Sequence, residues 1–131
     1  GDKCTPKGRF KLKYIFYRKD RVKNISSNIK LIPIKKNYGW CDDINSKFYN
    51  KLIKFPFKFK AEKLYLNENI YDIIIVIDYN LKPVRKKKGS AIFLHVAKKN
   101  YQATLGCIAL SKRDLRYLVS SIKKNTFLKI T

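Results

Sequence analysis

The chain has 131 residues, 45% of them apolar and 31% charged, a composition that fits a folded domain and excludes collagen-like and disordered classes. Thirty-one Lys and Arg against nine Asp and Glu give a net charge of +22. The longest nearly apolar run, Ile73 to Ile77, is far short of the ~20 residues a membrane span requires, so no transmembrane segment is expected.

At this length one core is expected, with residues 1–131 forming a single domain that buries roughly two-thirds of its unfolded surface. The opening residues carry no charged-then-apolar leader. The charge has two readings. One is an anionic partner: nucleic acid, acidic lipid or an anionic wall polymer. The other is codon bias, because Lys, Ile and Asn together supply 51 residues. Only six of the cations are Arg, so the bidentate fork typical of nucleic-acid readers is scarce.

Thr5-Pro6-Lys7-Gly8 predicts a turn. Phe10 to Tyr17 follows with period two, Phe10, Leu12, Tyr14 and Phe16 on one face and a mostly wet second face, and predicts a strand. Lys19 to Asp43 reads as a long excursion interrupted by Leu31-Ile32-Pro33-Ile34. It ends at Trp40-Cys41-Asp42-Asp43, whose adjacent carboxylates suit turn or cap roles better than acid–base work. Phe55 to Phe59 reads as an edge strand or loop, and Ala61 to Leu66 as a helical turn.

Ile70 to Tyr79 contains a β-branched run and predicts a central strand covered on both faces. Asn80 to Lys88 is a turn with a cationic tip. Ser90 to Ala97 predicts a second core strand, with Ala91, Phe93 and His95 on one face and Ile92, Leu94 and Val96 on the other. Lys98 to Thr104 reads as a loop. Leu105 to Leu110 is a short apolar segment. Ser111 with Asp114 forms a capping pattern, and Leu115, Leu118, Val119 and Ile122 make a helical stripe ended by Asn125. Phe127 to Ile130 closes as a strand. The class is mainly β, with one or two helices.

Cys4, Cys41 and Cys107 cannot all pair within the chain, and their spacings with one histidine fit no zinc pattern. His95 and Cys107 lie twelve residues apart, at the end of a buried strand and before a short one. Such an arrangement suits a thiol activated by an imidazole, since a free thiol of pKa ~8.5 is only slightly ionised at neutral pH. Lys98 and Lys99 add to this if their charges fall nearby. Gly106 permits close backbone approach, so amides there can face an oxyanion. Taken alone, the same residues more often describe a buried apolar cysteine and a satisfied core histidine.

Ser90 to His95, followed by Ala103-Thr104-Leu105-Gly106-Cys107-Ile108-Ala109-Leu110, resembles the catalytic signature of the L,D-transpeptidase (YkuD-type) family. Gly1-Asp2 with Thr5-Pro6-Lys7-Gly8-Arg9-Phe10 resembles the opening of that family, and Trp40 to Asp43 a block of its wall-associated members. The resemblance spans Gly1 to Ile130. It implies an L,D-transpeptidase-like β-sandwich and a cysteine acyltransferase that takes peptidoglycan stem peptides as a thioester and passes them to an amine or to water.

By position it implies Cys107 as nucleophile, His95 as base and then acid, and the Val96 carbonyl as the group orienting the imidazole. Amides of Leu105, Gly106 and Cys107 are the implied oxyanion hole, with Thr104 and Ser90 in substrate binding. No metal or organic cofactor is implied. The implied setting is the periplasm or cell envelope of a bacterium. Peptidoglycan stem peptides are the implied partner, with other anionic wall polymers beside them, no specific nucleic acid, and a monomer.

Leu105 stands where many members carry a second histidine, and Ala109 where many carry a polar residue or Arg; both positions bear on substrate preference. In an oxidising compartment Cys4 and Cys41 can pair, but two unpaired thiols are preferred. The rival to the enzyme reading is a non-catalytic basic module binding an anionic polymer or nucleic acid.

Overall fold

The structure is a computed structural model, which describes residues 8–79, 93–98 and 108–130. The expectations for Thr5 to Lys7, Asn80 to Lys88, the start of the second core strand and the loop before Leu105 lie outside them.

The β-branched run organises the molecule. Strand β6 (Ile73–Ile77) is buried at every position, and β1 (Gly8–Tyr17) and β7 (Phe93–Val96) flank it, both antiparallel. Burial on two faces requires cover on two sides. Ile73, Ile75 and Ile77 pack with Leu94, Val96, Leu115, Val119 and Ile122. Ile74 and Val76 pack with Phe16, Trp40, Leu64, Tyr71 and Phe93. The first group meets helix α1 (Lys112–Ser121), the second a small sheet of β3 (Tyr38–Cys41), β4 (Leu52–Lys54) and β5 (Ala61–Lys63) in the order β4-β3-β5. The central sheet thus lies between the helix and the small sheet, a sandwich-like, mainly β architecture.

Strand β2 (Leu31–Pro33) adds to β1 in parallel, and β8 (Ile108–Leu110) adds to β7 in parallel, giving the order β2-β1-β6-β7-β8. Strand β9 (Phe127–Ile130) pairs with the opening residues of β1.

Three expectations need correction. The strict alternation along β1 fails because Leu12 pairs with Ile77 while Tyr14 pairs with Val76, leaving Lys13 as the extra residue of a bulge. The bulge moves Leu12 to the face of Ile15, and Ile15 is fully buried rather than wet. The excursion from Lys19 to Asp43 contains two strands, β2 and β3. Ala61 to Lys63 is extended, not helical, because it completes the small sheet against Gly39–Cys41.

The helix follows its sequence signals. The Ser111 hydroxyl accepts the Asp114 amide at 3.1 Å, and Leu115 and Val119 are buried. The helix stops at Ser121, with Ile122 extended as its C-cap, four residues before the Asn125 stop signal.

Candidate active site

His95 sits on β7 between Ile74 of β6 and Ala109 of β8. Its side chain points to the small-sheet face and is 1% exposed. Strand alternation explains this placement, since Leu94 and Val96 take the helix face. The ring lies edge-to-face with Tyr71, centroids 5.7 Å apart.

His95 Nδ1 is 2.8 Å from the Val96 carbonyl oxygen. A carbonyl only accepts, so in the neutral ring Nδ1 carries the hydrogen and Nε2 the lone pair. Burial holds the ring below its ordinary pKa of 6.5; the Val96 bond opposes this and the Lys98 charge adds to it. The imidazole is therefore neutral near pH 7, the form in which it can accept a proton.

Val96 is itself fixed. Its amide donates to the Ile70 carbonyl at 3.0 Å, and the next amide, of Ala97, donates to the Leu110 carbonyl at 2.7 Å. Beside this segment opens a cleft of about 750 Å³, lined by Glu68, Asn69, Ile70, Val96, Ala97, Lys98, Ser111 and Lys112. Asp72, fully buried, takes ion pairs at 3.0 Å from Arg21 and from Lys112, which lines the cleft. This carboxylate ties the turn before β6 to the first turn of the helix.

Of the expected site residues, His95 and Val96 are brought into direct contact. Cys107, Leu105, Gly106, Thr104 and Ser90 lie outside the described residues, as do Cys4 and Lys99. Ala109 is directly opposite His95 in the parallel ladder. Cys41 is a buried free thiol on β3. The Asp42-Asp43 pair belongs to a turn: Asp43 accepts the amides of Asn45 and Lys60 at 3.0 and 3.1 Å. Those bonds hold its carboxyl below the usual range. Among the described residues no group of three or more His, Cys, Asp or Glu is arranged to hold a metal ion.

Sequence reasoning missed Tyr71 and Glu62. The Tyr71 hydroxyl donates to Glu62 Oε1, and Glu62 stands opposite Trp40 on the small sheet. Burial raises the Glu62 carboxyl above its ordinary pKa, against the effect of the Tyr71 bond. No spacing in the chain relates these two residues to His95.

The model of one protein family, YkuD, the L,D-transpeptidase catalytic domain, matches residues 1–130. No curated protein and no solved structure matches. The family match covers essentially the whole chain, and the chain belongs to the YkuD family of L,D-transpeptidase catalytic domains.

Proposed function

We propose that this YkuD-family domain is a cysteine-dependent acyltransferase acting on peptidoglycan stem peptides in the bacterial cell envelope, with Cys107 as nucleophile and His95 as base. The observation that carries the reading is the His95–Val96 hydrogen bond, which presents a neutral imidazole with its lone pair on Nε2. The β7–β8 pairing supports it: β8, which follows position 107 in the chain, runs beside the strand that carries His95, with Ala109 opposite the histidine.

His95 Nε2 takes the Cys107 thiol proton, and the sulfur attacks the carbonyl carbon of the scissile amide. The carbonyl π electrons move to oxygen, which the amides of Leu105, Gly106 and Cys107 stabilise. The oxyanion collapses, the C–N bond breaks, and the imidazolium proton goes to the leaving amine. A second amine or water then attacks the thioester carbonyl, giving its proton to His95; the C–S bond breaks, and the imidazolium returns that proton to the sulfur, restoring the thiol. Thr104 and Ser90 hold the donor peptide. The positive surface favours encounter with carboxylate-bearing stems.

The test is incubation with purified muropeptides carrying four-residue stems, followed by mass spectrometry. The reading expects release of the fourth residue, or its exchange for an added D-amino acid, and loss of both reactions in Cys107→Ala and His95→Gln. Unchanged muropeptides with the wild-type protein contradict it.

The charge of +22 favours a second reading, non-catalytic binding to an anionic polymer. Tight DNA binding with a steep salt slope and no muropeptide turnover is its signature.

A further inference from the structure

We propose that Tyr71 is a positioning residue that seats the His95 imidazole, and that Glu62 anchors Tyr71 for this purpose. The inference rests on the assignment of His95 as the base and names residues that reach the reaction only through it.

A hydrogen bond to a neighbouring carbonyl selects one tautomer only while packing holds the ring plane in line with that carbonyl. The Tyr71 ring meets His95 at 5.7 Å and 85°, the edge-to-face geometry aromatic pairs favour. Phe93, two residues before His95 on the same face, meets Tyr71 in the same manner at 6.1 Å. One aromatic side chain thus braces the face of β7 that carries the imidazole.

Tyr71 is in turn held at every joint. Its ring is 5% exposed and its hydroxyl bonds Glu62 on the opposite sheet. The carbonyl of Ile70, one residue before it, accepts the amide of Val96, whose own carbonyl holds His95. One residue after it, the Asp72 carbonyl accepts the Arg18 amide at 2.8 Å and the Asp72 carboxylate binds Arg21 and Lys112. The backbone that carries Tyr71 is therefore tied to the same residue that orients the imidazole.

A purely space-filling role would be served by Phe. A hydroxyl here requires a buried acceptor, and a carboxylate against an apolar face costs free energy unless it is bonded. Glu62 and Tyr71 satisfy one another, and the pair bridges the small sheet to the histidine.

The chain contains one histidine, so its ring gives a single set of nuclear magnetic resonance signals. Long-range proton–nitrogen correlation at pH 8 reads its tautomer directly, with or without turnover. The wild type is expected to show the Nδ1–H form. Tyr71→Leu should give a mixture of both tautomers, and kcat for muropeptides should fall about 10- to 100-fold with KM within about twofold. Tyr71→Phe keeps the ring and should show the Nδ1–H form with a smaller fall. Glu62→Gln retains an acceptor and should resemble wild type, while Glu62→Ala should resemble Tyr71→Phe. Circular dichroism confirms folding of each variant. If Tyr71→Leu does not fold, the Tyr71→Phe and Glu62→Ala pair decides, since wild-type kcat in both overturns the anchoring claim.

Wild-type ring signals in a folded Tyr71→Leu overturn the proposal. A changed tautomer in that variant, with a wild-type protein that never turns over muropeptides, supports the seating role and counts against the catalytic assignment of His95 instead.

Discussion

Ala109 lies directly across the parallel β7–β8 ladder from His95. This pairing fixes the register of the two strands on which the proposed chemistry depends. It also gives Ala109 a physical role: a small side chain directly beside the imidazole leaves room on that face. Ala109→Leu should crowd the ring and lower muropeptide turnover about tenfold or more, a displacement effect, while Ala109→Ser should stay close to wild type. Steady-state kinetics on both variants decides.

The ionisation of His95 links the site to stability. Burial lowers the ring below its ordinary 6.5, so the folded state binds a proton less readily than the unfolded chain. The resulting stabilisation is complete above pH 6.5 and is lost as pH falls from there through the folded value. Wild type should therefore lose more thermal stability than His95→Gln between about pH 7 and about pH 5.5, and the acid limb of kcat/KM should lie below 6.5. Melting curves across that range measure the difference.

Asp72 and Lys112 are partners with unequal stakes. The Asp72 carboxylate is 1% exposed and the Lys112 side chain 39%. Asp72→Ala strips a buried acceptor from two cations and should cost about 2–4 kcal/mol. Lys112→Ala leaves Arg21 in place and removes a half-exposed pair, so it should cost less than about 1 kcal/mol. Urea unfolding of the two variants compares them.

Gly39 shows how tightly the small sheet is built. A Cβ at this position would come within 2.5 Å of the Phe55 ring and 2.9 Å of Ile53 Cδ1. Gly39→Ala should destabilise the protein by about 1–3 kcal/mol through overpacking, and a double variant with Phe55→Leu should recover part of the loss. The urea midpoints of the single and double variants test the coupling.

Where pattern and packing agree, the chain is readable. Ile73 to Ile77 announces a strand covered on both sides, and Ser111 with the stripe from Leu115 to Ile122 announces the helix, because burial alone explains those residues. The bulge at Lys13 is invisible to a period-two reading, since nothing local distinguishes an extra residue from the next in line. The small sheet is hidden for another reason: Leu52–Lys54 and Ala61–Lys63 are three residues each and extended only because β3 pairs with both. His95 was legible through its family signature and its place on a buried strand. Glu62 and Tyr71 were not, because their meeting is made by two sheets packing, a long-range fact that no spacing encodes.

In the proposed mechanism the sulfur of Cys107 is the acylated atom. Intact-mass spectrometry after incubation with a carbapenem, a β-lactam that acylates nucleophilic cysteines, reads this step alone. One covalent adduct is expected on the wild type, retained in Cys41→Ala and Cys4→Ala and completely lost in Cys107→Ala. No adduct on the wild type, or an adduct that persists in Cys107→Ala, contradicts it.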